Sequence, residues 1–133
     1  MTLTLNTVRV FIHVLAATVW VGGQIVLGGL MPAVRELGPN APRQIARRFA
    51  MFAWPAYIVL LFSGLWNAME VDISAYPNSS KAWFSFKMSC FLITGAGAAL
   101  HSLVRQKWAL ALGGAMASLG AVGALLGAIA FTR

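Results

Sequence analysis

The run Val10–Val34, VFIHVLAATVWVGGQIVLGGLMPAV, carries no Asp, Glu, Lys or Arg and is closed at both ends by arginine, Arg9 and Arg35. A hydrocarbon core of about 30 Å takes roughly 20 helical residues, so this stretch is long enough to cross a bilayer. Backbone groups in lipid must be satisfied within the segment, and the run lacks the polar–apolar alternation of a barrel strand. A transmembrane helix follows. Without a basic leader or a small-residue cleavage site, it is expected to remain in the mature protein.

Three further apolar runs lie outward from it. Phe49–Met69 lies between Arg47-Arg48 and Glu70, with Pro55 expected to kink its first turns; Trp83–Leu103 and Trp108–Phe131 complete the set. The expected fold is all-α: an integral-membrane four-helix bundle running up-down-up-down, a single domain over 1–133. Glu36–Gln44, with Gly38, Pro39 and Pro42, and Val71–Lys81, with Asp72, Pro77 and Asn78-Ser79-Ser80, read as loops. The segment PRQIARRFAMFA, Pro42–Ala53, reads as a basic helix start rather than a helix lying in the headgroup plane.

Composition agrees. Hydrophobic residues make up 59% of the 133 and charged residues 10%, with a mean hydropathy of +0.77; soluble domains carry about 25% charged residues. A soluble or disordered chain is excluded. The net charge of +7 would suggest nucleic acid in a soluble protein, but here the basic residues cluster between spans and report topology. Arg35, Arg43, Arg47, Arg48, Arg105 and Lys107 stand on one side against Arg9, Lys81 and Arg133 on the other. Loops 35–48 and 104–107 are therefore expected in the cytoplasm and both termini outside the cell membrane, with Trp66 and Trp83 at the outer interface and Trp54 and Trp108 at the inner. The lone Cys90 permits no internal disulfide.

Ionisable groups inside a bilayer are costly and mark function. The candidates are His13, Lys87 and His101, accompanied by Gln24, Asn67 and Thr94. His13, Ala17, Trp20, Gln24, Leu27 and Met31 follow three- and four-residue steps along one helical face; Lys87, Cys90, Thr94, Ala98, His101 and Arg105 follow another. The two stripes are expected to face each other or a common cavity. His13 and Lys87 each lie roughly 6 Å inside the outer boundary and can meet there, whereas His101 is about 21 Å from Lys87 along the axis. One ion held by both histidines is thereby disfavoured. His13 is either an axial or metal ligand or a hydrogen-bond partner of a neighbouring helix, and His101 either a second ligand or an interface residue. Lys87 either snorkels or supplies a counter-charge. In the fourth span Gly120, Gly123 and Gly127 suit close helix approach, as Gly22-Gly23 and Gly28-Gly29 do in the first, there for a helix or a flat ligand.

Copper(I) handling calls for clustered soft ligands, yet Met31, Met51, Met69, Met88 and Met116 are scattered over all four spans. No carboxylate pair, nucleophile with a base, phosphate loop or zinc spacing is visible. Catalytic residues are accordingly unassigned.

The runs FIHVLAATVWVGGQIVLGGL, ARRFAMFAWPAYIVLLFSGLW and WFSFKMSCFLITGAGAALHSLVRQ resemble the first three helices of the copper-resistance protein D (CopD) family. The carriers are a histidine followed by Trp-x-Gly-Gly, a basic-Phe start with a terminal Gly-Leu, and an early lysine before a polar residue and a basic end. The same elements resemble HemJ-type protoporphyrinogen oxidases, in which a first-helix histidine and a third-helix lysine are associated with haem b and activity; here these are His13 and Lys87.

The leading expectation is a haem b-binding membrane protein with a redox or electron-transfer role. His13 is its axial ligand, Trp20 and Gln24 lie on the same cofactor-facing stripe, Lys87 stands near a propionate or the second axial position, and His101 can hold a second haem. Alternatives are copper uptake or tolerance, implied by the CopD resemblance, a porphyrinogen-oxidising enzyme, and a structural subunit of a membrane complex. The expected partners are the lipid bilayer and a membrane or periplasmic redox protein; a homo-oligomer is left open, and nucleic acid has no visible basis.

Overall fold

The computed structural model describes residues 4–131; Arg133, counted above in the charge asymmetry, lies outside the described residues. Four helices are long and apolar enough to cross a membrane: α1 Leu5–Glu36, α2 Ala41–Met69, α3 Asn78–Leu103 and α4 Lys107–Phe131. The described residues contain no strand, so the chain is all-α, as lipid solvation of the backbone demands.

The connections are shorter than the sequence suggests. The first shrinks from Glu36–Gln44 to Leu37–Asn40, because α2 begins at Ala41 with proline in its opening turn, where the missing N–H costs no helical bond. The basic segment before Phe49 is thus one continuous helix with the span, and Pro55 also lies inside that helix. Gly38 makes the turn at φ 129°, a conformation open to a residue without Cβ. At the second connection Pro77, with φ −57°, sets the start of α3, so Asn78-Ser79-Ser80 forms its first turn rather than a loop. Between α2 and α3 remains a short 3-10 turn, Ile73–Ala75, where the Asp72 carboxylate accepts from the Ser74 N–H at 3.0 Å.

The chain forms two compact units that divide between Val71 and Asp72, each an antiparallel helical hairpin. In the first, Arg9 stands opposite Glu70, His13 opposite Ser63, Trp20 opposite Tyr57 and Trp54, and Gly23 opposite Phe49. In the second, Lys87 meets Gly127, Cys90 meets Gly123, Thr94 meets Gly120, and His101 meets Gly113. The expected close approach at Gly120, Gly123 and Gly127 is present. Much large apolar surface stays uncovered, including Phe11, Ile25, Phe52, Phe62, Leu92 and Leu119. A water-soluble domain avoids large exposed apolar surface, and this one belongs to helices apolar enough to cross a membrane.

One irregularity interrupts α1. Thr18–Gly22 is a π-helical stretch, a wide turn that recurs at functional sites. Within it the Thr18 hydroxyl donates to the Val14 carbonyl at 2.9 Å, and Trp20 is 3% exposed.

Candidate functional site

His13 projects from α1 onto a polar notch in α2. The Ser63 hydroxyl has one proton, and it donates that proton to the Val59 carbonyl at 2.6 Å, one turn back in its own helix. Its oxygen therefore receives the Nδ1–H of His13 across the 2.8 Å contact between them. The consequence is chemical: with Nδ1 protonated, a neutral His13 ring carries its lone pair on Nε2. Gly64 makes room for the ring, since a Cβ there would lie 3.3 Å from His13 Cε1. Metal-binding histidines are commonly prepared in this way, by a partner that fixes the tautomer and ring plane through the other nitrogen.

Further along the same stripe, Trp20 packs on Tyr57 with ring centroids 4.6 Å apart and on Trp54 at 6.0 Å, forming an aromatic cluster between α1 and α2. One turn on, the Gln24 side-chain amide is buried without a hydrogen-bond partner for its Nε2. Next to it, Gly23 lies under the Phe49 ring, whose Cε2 would be 2.5 Å from a Cβ. By contrast nothing approaches Gly22, Gly28 or Gly29.

The stripe on α3 has a different setting within its own hairpin. Lys87, Cys90, Thr94 and His101 do share one helical face, as their spacing implies, and that face is laid on α4. The Lys87 backbone is within 3.1 Å of where a Gly127 Cβ would sit, and Cys90 Sγ within 2.7 Å of one at Gly123. The Thr94 hydroxyl donates to the Ala117 carbonyl at 2.5 Å. His101 Nδ1–H donates to the Leu110 carbonyl at 2.7 Å with the residue exposed, which again leaves the lone pair of a neutral ring on Nε2. Lys87 and His101 thus occupy separate stations along α3, at Gly127 and at Leu110.

Two residues of the first hairpin were not singled out from sequence. Ser63 is legible only in retrospect, as a small polar residue beside glycine in an otherwise apolar run. Arg9, read as a boundary charge, has a side chain only 11% exposed and lies 3.9 Å from Glu70, with its guanidinium carbon 6.0 Å over the Trp66 ring.

The donor set distinguishes kinds of metal site. Among the described residues no group of three or more His, Cys, Asp or Glu side chains is placed to hold a metal ion. A porphyrin supplies four of the iron ligands itself and needs from the protein only axial donors. Fixed histidines of the His13 type suit the second case. Comparisons with family models, with curated proteins and with solved structures give no match to this chain.

Proposed function

We propose that the chain is an integral protein of the cytoplasmic membrane that binds b-type haem through His13 and serves electron transfer or membrane redox chemistry. The observation that carries this reading is the relay from His13 Nδ1–H to Ser63 and on to the Val59 carbonyl, which fixes the tautomer that an axial ligand requires. Haem supplies a one-electron redox centre when bound. His13 Nε2 would be the iron donor and Ser63 would hold the ring plane; the Trp20 cluster and the Gln24 amide lie on the same stripe of α1. His101, in the second hairpin, is the candidate ligand of a second haem. The resemblance to HemJ-type proteins, in which a first-helix histidine is associated with haem b, supports the same assignment.

Absorption spectra of the purified protein, oxidised and reduced, test it. The wild type shows a Soret band that His13→Ala removes, while Ser63→Ala lowers haem affinity by about 10–100-fold, as loss of an outer hydrogen-bond partner does. A wild type that shows no Soret band after haem supplementation overturns the reading, as does a band that His13→Ala leaves unchanged. Copper found by metal analysis in place of haem would transfer the assignment to copper handling.

The charge asymmetry carries a topology within this proposal: termini and the Asp72–Pro77 connection outside, and the arginine-rich connections in the cytoplasm. In a Cys90→Ser background, a membrane-impermeant thiol reagent added to whole cells labels Ala75→Cys and spares Asn40→Cys. The opposite pattern inverts the topology.

A further inference from the structure

Between α1 and α2 of the first hairpin lies a crevice of about 250 Å³, lined by Arg9, Ile12, Ile58, Phe62, Ser63 and Trp66 among others. Small-molecule sites usually occupy about 300–1,000 Å³, so this is a small one, narrow enough to follow a single chain. Its lining is apolar except at Ser63, whose hydroxyl is committed to Val59 and His13, and at Arg9.

Arg9 is only partly satisfied. Its Nη2 donates to the Asn6 side-chain oxygen and its guanidinium lies over Trp66, but Nε and Nη1 are buried without a hydrogen-bond partner. Glu70 stands 3.9 Å from Nη1, beyond hydrogen-bond distance, with its side chain 58% exposed. Unmet donors on a desolvated cation are expensive, and a charged acceptor is the partner that recovers most of the loss.

We propose that this crevice binds a single-chain anionic amphiphile, its carboxylate or phosphate head on Arg9 and its chain along Ile12, Ile58 and Phe62. The proposal does not rest on haem binding, since it calls on no iron ligand, although the crevice shares Ser63 with the relay to His13. The carboxylate of a free fatty acid and the phosphate of an anionic lipid present the same acceptor chemistry to the guanidinium. Glu70 competes for the same charge and weakens binding.

Quenching of Trp66 fluorescence tests it, using the purified full chain in zwitterionic detergent and three brominated single-chain probes: stearic acid, its methyl ester and lysophosphatidylglycerol. Saturable quenching is expected with the acid, the anionic lipid or both, according to which head the site takes, and not with the ester. Arg9→Gln raises half-saturation about tenfold, in keeping with loss of a charged hydrogen bond; Glu70→Gln lowers it several-fold; Trp66→Phe removes the saturable component. Equal saturation by the ester overturns the proposal, as does a half-saturation unmoved in Arg9→Gln or in Glu70→Gln, or saturable quenching that survives in Trp66→Phe. If Arg9→Gln loses helicity by circular dichroism, Arg9→Lys takes its place, with weaker binding than wild type expected and unchanged binding decisive against the site.

Discussion

The two hairpins solve the same problem, holding two helices together in an apolar solvent, by opposite means. In the second, backbone lies on backbone: a Cβ at Gly97, Gly113 or Gly120 would come within 2.5–2.8 Å of α3 or α4 atoms. In the first, side chains bridge the helices through His13 and Ser63, Trp20 with Tyr57 and Trp54, and Phe49 over Gly23. Lipid tails are as apolar as leucine, so helix association in a membrane depends on packing and on interhelical hydrogen bonds rather than on water exclusion. The glycine hairpin takes the first route and leaves little room for anything else. The side-chain hairpin takes the second, and it contains the crevice, the π-helical turn and the fixed histidine. Backbone contact and side-chain bridging are divided between the two halves of one small chain.

The sharpest way to break this contrast is at the glycine seam. Gly120→Val pushes a side chain against the Thr94 N–H and the Cys90 carbonyl and costs about 3 kcal/mol by overpacking. The matching change Gly28→Val, made where nothing lies within 4 Å, carries no such penalty and stays within about 0.5 kcal/mol. Detergent-based unfolding of both variants should therefore differ widely; equal losses would dissolve the distinction between a packed and an open glycine.

In the first hairpin the corresponding change is Ser63→Ala. It strands the His13 Nδ1–H in a half-buried notch, a loss of about 1–3 kcal/mol, measurable as reduced thermal stability of the haem-free protein. A smaller effect is expected at Thr94→Val, which removes the hydrogen bond to Ala117 but leaves the glycine seam intact; interhelical hydrogen bonds in membranes average about 0.6 kcal/mol. Were Thr94→Val more damaging than Gly120→Val, polar bonding and not close approach would hold the second hairpin.

The smallest effect belongs to the connection between the hairpins. The Ser74 hydroxyl and then its backbone N–H hold the Asp72 carboxyl below the ordinary carboxylate range. A group depressed in the folded state stabilises above its unfolded pKa, about 3.9 for Asp, and that contribution disappears as pH falls through the lower folded value. Asp72 is fully exposed, so the slope is slight. A thermal scan at pH 7 and at pH 3 should show a somewhat smaller acid loss for Ser74→Ala than for the wild type.

Legibility from sequence differed between the hairpins for a physical reason. The glycines of α4 announced a close approach because small side chains at helical spacing have few other uses in lipid, and the shared face of Lys87, Cys90, Thr94 and His101 followed from periodicity. Periodicity does not say which neighbour a face meets, however, and the packing of that face on α4 came only with coordinates. The histidine of α1 was conspicuous because an imidazole among apolar residues is costly. Its partner Ser63 was not, because a serine can satisfy its own hydroxyl on the carbonyl a turn earlier and needs no explanation in a membrane helix. The residues Ala41–Gln44 and the Asn78-Ser79-Ser80 turn show the converse: polarity marked them as loop, while hydrogen bonding made them helix.

Charge-free length and hydropathy settled by themselves that four helices are long and apolar enough to cross a membrane and where they lie in the chain, since lipid leaves the backbone one inexpensive conformation. Tertiary structure alone decided that His13 Nδ1 meets the Ser63 hydroxyl, that Arg9 keeps unmet donors beside a crevice, and that the glycines of α4 touch backbone. Those facts depend on distances between residues far apart in sequence, and a one-dimensional pattern fixes a helical face but not what lies across from it.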